Sequence, residues 1–414
     1  MNSKERILAA LDGQPADHVP LTTWCFGFPA PEHLRWETGG KPVDHWYSKR
    51  LEHIHTLPQP WELEDEFQRA EAWLSLGIDD VLEVSVPWSQ DPAVTWKDSV
   101  VQPGGAGGDD KHPVLVRRYE TPSGSLRHAV KKTENEGAGW PIQPDWVPLV
   151  EDYNVPRGIE HAVSSPDDVP VIKHLFAPPD DNQRRWFADR MAKMKAFADS
   201  RGLFVQAWTA FGMDAAVWFT GAENAVLMAM DAPGAFQRLL DIIFETDFAR
   251  TELAAATPGV DMVCQRGWYS STDFWSPELF DALVFPRLKQ LTALAHRHGK
   301  KFAYVMTTGV ARLGPRLADA GVDLLYFADP IQDRLSLEKA RELLAGRMTL
   351  AGGTSALSLA SGDPRRIRDE VRRAIEVLGP THRFILQPVD ALFPDTPWAG
   401  VTSMIEAWKE FRTM

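Results

Sequence analysis

This chain has few cysteines, no long apolar run and no excess of basic residues, the features that mark secreted, membrane and nucleic-acid-binding proteins respectively. It has only two cysteines, Cys25 and Cys264, which cannot form a disulfide framework and fit a reducing compartment. No run of about 18 apolar residues occurs, so we expect no membrane-spanning helix. Lysine and arginine number 44 against 57 aspartates and glutamates, a formal net charge of -13. This balance excludes a nucleic-acid binder that relies on a basic surface, and we expect a soluble, cytoplasmic protein.

The common spacings of metal ligands are also missing. No H-x-x-x-H or C-x-x-C segment occurs in the sequence. His296 and His298 lie two positions apart at the end of a predicted helix, so they would point to different faces, and the same holds for His53 and His55 if that segment is helical. The sequence therefore predicts no metal site of a familiar kind.

Tryptophan, by contrast, is abundant. The chain has 16 tryptophans and only 6 tyrosines, in a sequence that is 44% hydrophobic and 24% charged. That composition is typical of a folded protein with a large core. Large rigid aromatic side chains either fill such a core or line a pocket for an apolar or planar ligand, and composition alone leaves both open.

The order of apolar runs and helical patterns predicts a parallel sheet covered by helices. Five β-then-α units follow one another in the second half, and three further strands are predicted upstream. Ser276-Pro277-Glu278 predicts the start of a helix that lasts until Gly299, and Asp363-Pro364 predicts the start of another, because each pairs a capping residue with a first-turn proline. The eight predicted strands are Val19–Thr23, Val81–Val86, Leu203–Trp208, Val260–Gln265, Phe302–Met306, Val322–Phe327, Met348–Gly352 and Phe384–Leu386. Eight strands favour an α/β fold of the (β/α)₈ TIM-barrel type, as a single domain over residues 1–414, and a doubly wound sheet is the alternative.

The segment Asp91–Pro179 interrupts this alternation. Two β-like runs, Val114–Tyr119 and Ser125–Val130, are joined at Pro122-Ser123-Gly124 and predict an inserted β-hairpin that could act as a lid. The glycine-rich run Gly104–Gly108 lacks the G-K-[ST] ending and the following helix of a phosphate-binding loop. We therefore interpret it as a turn.

In a barrel of this type, ligands bind at the carboxyl ends of the strands, so the residues after each strand are the candidate site. Most of them are aromatic, which predicts a cup for an aromatic or planar small molecule. The candidate substrate-binding residues are Arg266, Trp24, Trp88, Trp208, Phe211, Trp268, Gln265 and Thr307. Arg266 could pair with a substrate carboxylate or stack on a ring. Alternatively, it forms an ion pair with Asp329, Glu83 or Asp390.

Candidate catalytic groups come from the same strand ends. Asp390 and Asp329 could serve as acid and base, because carboxylates in a partly apolar cup can differ in pKa. Tyr269 and Tyr304 could donate to a substrate oxygen. Alternatively, Asp329 is an ordinary turn residue before a proline, and the tyrosines only pack. Two further residues after a predicted strand, Gly353 and Thr354, are candidates for cofactor contact because a tight glycine turn allows close approach.

A set of short motifs spans nearly the whole chain outside the insertion. The motifs are Ser3–Gly13 with Pro15–Pro20, Ser276–Phe280 with Phe285–Leu288, Ala320–Asp323, Gly352–Thr354, and Phe384–Leu386 with Pro394–Pro397. In this order they resemble the motifs of the uroporphyrinogen decarboxylase superfamily, which includes cobalamin-dependent methyltransferases that act on methanol, chloromethane and aryl methyl ethers. The resemblance implies a (β/α)₈ barrel.

The functional motifs of the family match less well than its scaffold. Where the decarboxylases carry an arginine-rich R-Q-A-G-R-Y segment, this chain has Trp24–Pro29 without an arginine. The zinc-dependent methyltransferases of the superfamily use an H-x-C pair and a later Cys, and the corresponding positions here hold Val305, Thr307 and Asp390. We therefore expect neither porphyrinogen decarboxylation nor zinc bound by the family's usual ligands.

Three functions follow as hypotheses. The first is a methyltransferase that demethylates a small aromatic or apolar methyl donor and passes the methyl group to cobalamin on a partner corrinoid protein. The second is a cofactor-independent decarboxylase or related lyase, in which Arg266 holds a small carboxylic acid and Asp390 or Asp329 protonates the carbanion. The third is a non-catalytic ligand-binding barrel. The resemblance to the decarboxylases also implies a homodimer.

Overall fold

The computed structural model describes residues 1–47, 61–133, 146–329 and 331–413. The strands in these ranges are β1 Phe26–Pro29, β2 Trp36–Thr38, β3 Lys41–Val43, β4 His45–Tyr47, β5 Val81–Ser85, β6 Thr95–Val101, β7 Val114–Thr121, β8 Gly124–Lys131, β9 Gly158–Glu160, β10 Phe204–Ala210, β11 Met262–Gln265, β12 Lys301–Val305, β13 Leu324–Ala328, β14 Thr349–Ser355 and β15 Phe384–Val389. The α-helices are α1 Ser3–Asp12, α2 Leu63–Ser75, α3 Val169–Ile172, α4 Asp181–Arg201, α5 Met213–Thr220, α6 Ala222–Asp231, α7 Pro233–Ala256, α8 Pro277–Leu283, α9 Phe285–Arg297, α10 Val310–Ala320, α11 Leu337–Leu344, α12 Ala356–Ser361, α13 Pro364–Leu378 and α14 Trp398–Phe411.

The centre of the fold is a parallel sheet of seven strands in the order β15-β14-β13-β12-β11-β10-β5. Each neighbouring pair runs parallel. Seven of the eight predicted strands are found in it, because their continuous apolar runs suit strands that are covered on both faces. Side chains from all seven strands meet in one inner cluster, which includes Phe204, Met262 and Ile385. The sheet is therefore curled around a core of its own.

The prediction of a strand at Val19–Thr23 was wrong. Leu21 makes only an isolated parallel bridge with Leu386, where the Leu386 N–H donates to the Pro20 carbonyl at 2.9 Å. On its other side, the Leu21 carbonyl accepts from the Asp79 N–H at 3.0 Å. Because Pro20 has no N–H to donate, the segment cannot form a regular ladder. It nevertheless connects the last strand of the sheet, β15, with the residues that precede the strand at the other edge, β5.

One end of the curled sheet is closed by α1. Asn2 caps this helix by accepting from the Glu5 N–H at 2.9 Å, and the Glu5 carboxylate accepts from the Asn2 N–H at 2.9 Å, which is a capping box. Ile7 and Leu11 pack into the inner cluster. Thr349, at the start of β14, donates to the Ala10 carbonyl of α1, so this helix lies at the amino ends of the strands. The carboxyl ends of the strands are therefore available for a site.

The remaining helices cover the outer face of the sheet. In α13, Asp363 caps the N-terminus and Pro364 occupies the first turn, as the sequence predicted. The single helix predicted from Pro277 to Gly299 is two helices, α8 and α9, and Pro286 in the first turn of α9 explains the break, since proline does not continue a preceding helix. Within the described ranges, no helix combines the length and apolarity needed to cross a membrane.

The predicted hairpin is confirmed within the inserted segment. Strands β7 and β8 pair antiparallel from Val114–Lys131 to Thr121–Gly124, and β6 and β9 extend them to a four-stranded sheet. Tyr119 and Leu126 belong to the main core. The inserted sheet is therefore packed against the rest of the fold through one face.

Candidate active site

A cavity of about 360 Å³ opens at the carboxyl ends of the parallel strands. Its lining consists of Phe26, Asp152, Trp268, Tyr269, Asp273, Phe274, Thr307, Thr308, Asp390, Ala391 and Phe393. Most of these residues follow β11, β12 or β15 in the chain. Asp152 comes from the inserted segment. The position is the one where folds of this kind bind their ligands.

Beneath the cavity lies an aromatic floor formed by Trp24, Trp208 and Tyr326. The Trp24 ring lies 4.5 Å from Tyr326 and 5.3 Å from Trp208, measured between ring centroids. Trp208 stacks on Trp268 at 6.2 Å with an interplanar angle of 14°. Trp24 and Trp208 are 3% and 0% exposed. The tryptophans predicted to line the site therefore form two layers here. Trp268 lies in the cavity wall, and Trp24 and Trp208 lie below it.

Arg266 is held between two carboxylates and two rings. Its Nη2 donates to Asp152 Oδ2 at 2.5 Å and its Nε donates to Asp214 Oδ2 at 3.2 Å. The guanidinium carbon lies 4.7 Å from the centroid of the Trp218 ring and 4.4 Å from that of Trp268, within the range of a cation–π contact. The side chain is almost fully buried. Arg266 thus forms an ion pair at the mouth, but with carboxylates other than the three considered from the sequence.

Asp214 couples this ion pair to the loop after β11. Its Oδ1 accepts from the Tyr269 N–H at 2.9 Å while its Oδ2 accepts from Arg266. Burial raises the pKa of Asp214 to about 6, although the Arg266 charge opposes that rise. Trp218 donates from its indole to Asp152 Oδ1 at 2.9 Å. One arginine therefore fixes the inserted segment, α5 and the cavity wall relative to one another.

The two candidate tyrosines lie in different places. Tyr269 lines the cavity, and burial together with the charges of Asp152 and Asp214 raises its pKa well above the usual range. It therefore stays protonated and can donate a hydrogen bond. Tyr304 is fully buried with its hydroxyl 2.6 Å from Ser270 Oγ. Its ring fills the space beside Gly267, where any side chain would collide with it, so Tyr304 supports the loop from behind.

Three carboxylates line the cavity itself. Asp152, Asp273 and Asp390 are all part of the wall, and Asp273 Oδ2 accepts from the Thr308 hydroxyl at 2.5 Å. Of these, only Asp390 was a candidate from the sequence. Thr307, another predicted residue, also lies in the wall.

Trp88, Phe211 and Gln265 lie outside the cavity wall. The Phe211 ring packs on Trp88 at 5.7 Å and lies 4.0 Å from the Arg250 guanidinium, in the core between sheet and helices. Gln265 is one residue beyond Cys264, which points into the inner cluster. Because side chains alternate along a strand, Gln265 points to the outer face. A strand-end position alone does not tell the two faces apart.

Asp329, Gly353 and Thr354 also lie away from the cavity wall. Asp329 Oδ1 accepts from the Ile331 N–H at 2.7 Å, as expected of a turn aspartate, and burial raises its pKa. A side chain at Gly353 would meet Ala374 of α13, so this glycine allows close helix packing. Thr354 is 1% exposed and donates to a backbone carbonyl of β15.

The residues present do not fit the zinc site of the superfamily's methyltransferases. At the three corresponding positions, Val305 packs in the inner cluster while Thr307 and Asp390 line the cavity, so one carboxylate is the sole common zinc ligand among them. In the part of the chain that the structure describes, no three His, Cys, Asp or Glu residues are grouped to hold a metal ion. His53 and His55 lie outside the described residues.

Comparisons with known proteins agree with the fold and with the motifs. Residues 215–411 match the family model described as uroporphyrinogen decarboxylase (URO-D). This part of the chain is therefore similar to the uroporphyrinogen decarboxylase family. A curated uroporphyrinogen decarboxylase from Dichelobacter nodosus is 24% identical over 249 residues, 58% of this chain and 68% of that protein. The resemblance predicted from the sequence is thereby confirmed.

A solved structure shares the fold over the full length. It is a methyltransferase from Methanosarcina mazei, with 17% sequence identity, a TM-score of 0.57 and coverage of 99% of both chains. This likeness shows the fold alone. The match to the uroporphyrinogen decarboxylase family includes most of the cavity wall, but Phe26 and Asp152 lie before residue 215. Two residues of the wall therefore come from parts of the chain that the family model does not match.

Proposed function

We propose that this protein is a methyltransferase that takes a methyl group from a small donor bound in the cavity and passes it to cobalamin on a partner corrinoid protein. One observation favours methyl transfer over decarboxylation: Asp152 and Asp214 balance the charge of Arg266. A decarboxylase needs a cation to hold its substrate's carboxylate. The carboxylate of Asp273, which lies in the wall, would repel such a substrate.

We further propose that the segment 20–22 completes the sheet as the eighth position of a closed barrel, and that the inserted segment forms one side of its mouth. Support comes from the hydrogen bonds of Leu21 and its neighbours to both edges of the sheet. Asp152 of the insertion supports the second part, since it lines the cavity and pairs with Arg266. In this arrangement the insertion shields the reacting groups from water.

The chain's own contribution is binding and orientation. Trp268, Phe26, Phe274 and Phe393 hold the donor between rings, and Tyr269 supplies a hydroxyl that donates a hydrogen bond to it. The cavity has the volume of a small-molecule site, so a corrinoid would face it from outside. When bound, the corrinoid supplies the nucleophile that accepts the methyl group. Thr354 and Gly353 are buried and do not fit a direct contact with it.

Anaerobic mixing of the protein with cob(I)alamin and small methyl donors tests the proposal. We expect donor-dependent loss of the cob(I)alamin absorbance, saturable in donor and absent without protein. The matched control is Asp189→Asn on the exposed surface of α4, which should transfer at the unaltered rate. Release of CO₂ from aromatic carboxylic acids in corrinoid-free buffer, without any spectral change, would instead establish the decarboxylase.

A further inference from the structure

We propose that Asp247 of α7, on the outer face of the sheet, is a positioning residue for the active site. Its carboxylate fixes the turn between β10 and α5, and the start of α5 in turn holds Arg266 and the loop that contains Tyr269. The inference rests on the proposed methyl transfer for its effect on the reaction. The coupling between the loops can be measured without any reaction.

The turn between β10 and α5 is short and closely packed. β10 ends at Ala210, and α5 begins at Met213. Phe211 and Gly212 alone connect the two elements. Gly212 has a φ of 53° and a ψ of -125°, a backbone conformation that favours glycine, and a Cβ there would lie 2.6 Å from the amide nitrogen of Gln265. The turn therefore depends on contacts that hold its backbone in this conformation.

Asp247 makes such a contact. Its Oδ2 accepts from the Phe211 N–H at 3.0 Å and from the Gly212 N–H at 2.7 Å. Both N–H groups come immediately before α5, where a helix needs acceptors from outside itself. The carboxylate is almost fully buried, and a charged acceptor makes stronger hydrogen bonds than a neutral one. One side chain of α7 therefore fixes the start of α5.

The start of α5 contacts the cavity wall. Asp214, the second residue of α5, accepts from the Arg266 Nε at 3.2 Å and from the Tyr269 N–H at 2.9 Å, and Tyr269 lines the cavity. The Arg266 N–H also donates to the Ala210 carbonyl at 2.9 Å, so the loops after β10 and β11 are joined at two places. Hydrogen bonds thus connect Asp247 with the cavity wall through the turn and Asp214.

The rest of α5 extends this connection to the inserted segment. All eight residues of the helix are buried, so it cannot shift without moving its neighbours. Trp218 of α5 packs on the Arg266 guanidinium and donates to Asp152 in the cavity wall. A displacement at the start of α5 should therefore reach two sides of the cavity.

The alternative is that Asp247 only stabilises the fold. Burial raises its pKa to about 7, while the charge of Arg250, whose Nη1 lies 3.6 Å from Oδ1, and the two backbone N–H groups oppose the rise. At about pH 8.5 the carboxylate form predominates. In either role, removing it should lower stability. Only the positioning role predicts a change at Tyr269 and in the use of the methyl donor.

Three variants separate the two roles. Asp247→Ala removes the acceptor. Asp247→Asn keeps an oxygen that can accept from the turn, so it should restore most of what Asp247→Ala loses. Glu245→Ala, at an exposed position of the same helix, is the matched control. If Asp247→Ala does not fold, Asp247→Glu takes its place, because it keeps the charge and moves the acceptor by one methylene group.

Amide hydrogen exchange at about pH 8.5, followed by mass spectrometry, measures the coupling. In Asp247→Ala we expect exchange to become at least about tenfold faster both at 211–212 and at 268–270. Asp247→Asn and Glu245→Ala should exchange like the unaltered protein. Faster exchange at 211–212 alone would show that Asp247 holds the turn but positions nothing at the cavity. That result, or unchanged exchange at both segments, would overturn the inference.

Steady-state kinetics of the cob(I)alamin reaction measures the consequence for the active site. In Asp247→Ala we expect kcat/KM for the methyl donor to fall by about tenfold, because the wall that orients the donor is displaced. KM for cob(I)alamin should stay unchanged. A loss of stability with kcat/KM for the donor unaltered would assign Asp247 to structure alone.

The two proposals fail in different ways. If the unaltered protein transfers no methyl group but exchange at 268–270 depends on Asp247, methyl transfer is refuted and the positioning of the cavity wall stands. If the unaltered protein and Asp247→Ala transfer methyl groups with the same kcat/KM, methyl transfer stands and the positioning role is refuted.

Discussion

Two buried arginines, one at each end of the parallel sheet, show how the same ion-pair chemistry can serve structure or a site. At the amino end, Arg69 of α2 donates to Glu66 at 2.7 Å and to Asp80 at 3.0 Å, and all three side chains are fully buried. At the carboxyl end, Arg266 pairs with the buried Asp214 and with Asp152, whose side chain is 36% exposed.

The difference lies in what the partners contact. Glu66 also accepts from the Glu83 N–H, and Arg69 also donates to the Val81 carbonyl, so the whole cluster is enclosed by α2 and β5. Asp152, by contrast, lies in the cavity wall. An ion pair that opens into a cavity can influence a ligand, whereas one closed on all sides contributes only to the folded state. In barrels, residues at the amino ends of the strands usually contribute to stability, and residues at the carboxyl ends usually form the binding site.

The largest expected effect follows from breaking the enclosed cluster. Arg69→Ala leaves two buried carboxylates without their cation, so we expect the free energy of unfolding to fall by about 3–5 kcal/mol. Denaturant titration measures it. The rate of methyl transfer to cob(I)alamin, measured at a temperature where the variant is folded, should be unchanged. A slower rate without a loss of stability would contradict the assignment of this cluster to structure.

Arg266→Ala is expected to lower stability less than Arg69→Ala does but to slow methyl transfer. Because Asp152 can be solvated once its partner is gone, we expect the free energy of unfolding to fall by about 2–4 kcal/mol. The rate of methyl transfer to cob(I)alamin should fall more than tenfold, since Trp268 and the inserted segment lose the side chain that fixes them. Denaturant titration and the cob(I)alamin absorbance assay give the two quantities. An unaltered rate would show that the ion pair does not shape the cavity.

The pH dependence of stability separates the two ends further. Burial raises the pKa of both Asp80 and Asp214 to about 6 from an ordinary value near 3.8. Between these values the folded state holds more protons than the unfolded state, so the contribution of each group to stability falls as pH rises from about 4 to about 6. Asp80→Asn and Asp214→Asn should each make this fall shallower, measured as unfolding free energy against pH. Only Asp214→Asn should change the rate of methyl transfer to cob(I)alamin, and a changed rate in Asp80→Asn would contradict the division between the two ends.

The smallest effect is expected far from both clusters, at the glycine-rich turn of the insertion. Gly104 and Gly107 have positive φ angles, and the space beside each is open. Replacing 104–108 with a shorter turn should change neither the melting temperature nor the rate of methyl transfer beyond error. A slower rate with the fold intact would show that this turn, and not only Asp152, covers the cavity.

The sequence predicted the scaffold well because strands buried on both faces consist of continuous apolar runs, which are easy to recognise. Seven apolar runs became the seven strands, and the hairpin was found at Val114–Thr121 and Gly124–Lys131. The exception, Val19–Thr23, contains Pro20, whose missing N–H limits the segment to isolated bridges. The helix starts at Pro277 and Pro364 were also predicted correctly, since proline favours the first turn of a helix.

The site was predicted only in part. Trp268, Tyr269, Thr307 and Asp390 line the cavity as strand-end residues, whereas Gln265 follows a strand just as closely and points to the other face. The S-S-T-D run that ends at Asp273 was a usable signal, because it follows Tyr269 in the loop after β11. Asp152 had no such signal, since its position depends on how the inserted segment packs against α5.

The measurement that tests the central claim most directly is an anaerobic absorbance assay that contains the protein, cob(I)alamin and one of several small methyl donors, among them an aryl methyl ether. The account predicts protein-dependent loss of the cob(I)alamin absorbance with at least one of these donors, with formation of the demethylated product in equal amount. An unchanged absorbance with every donor, together with CO₂ release from an aromatic acid, would contradict it.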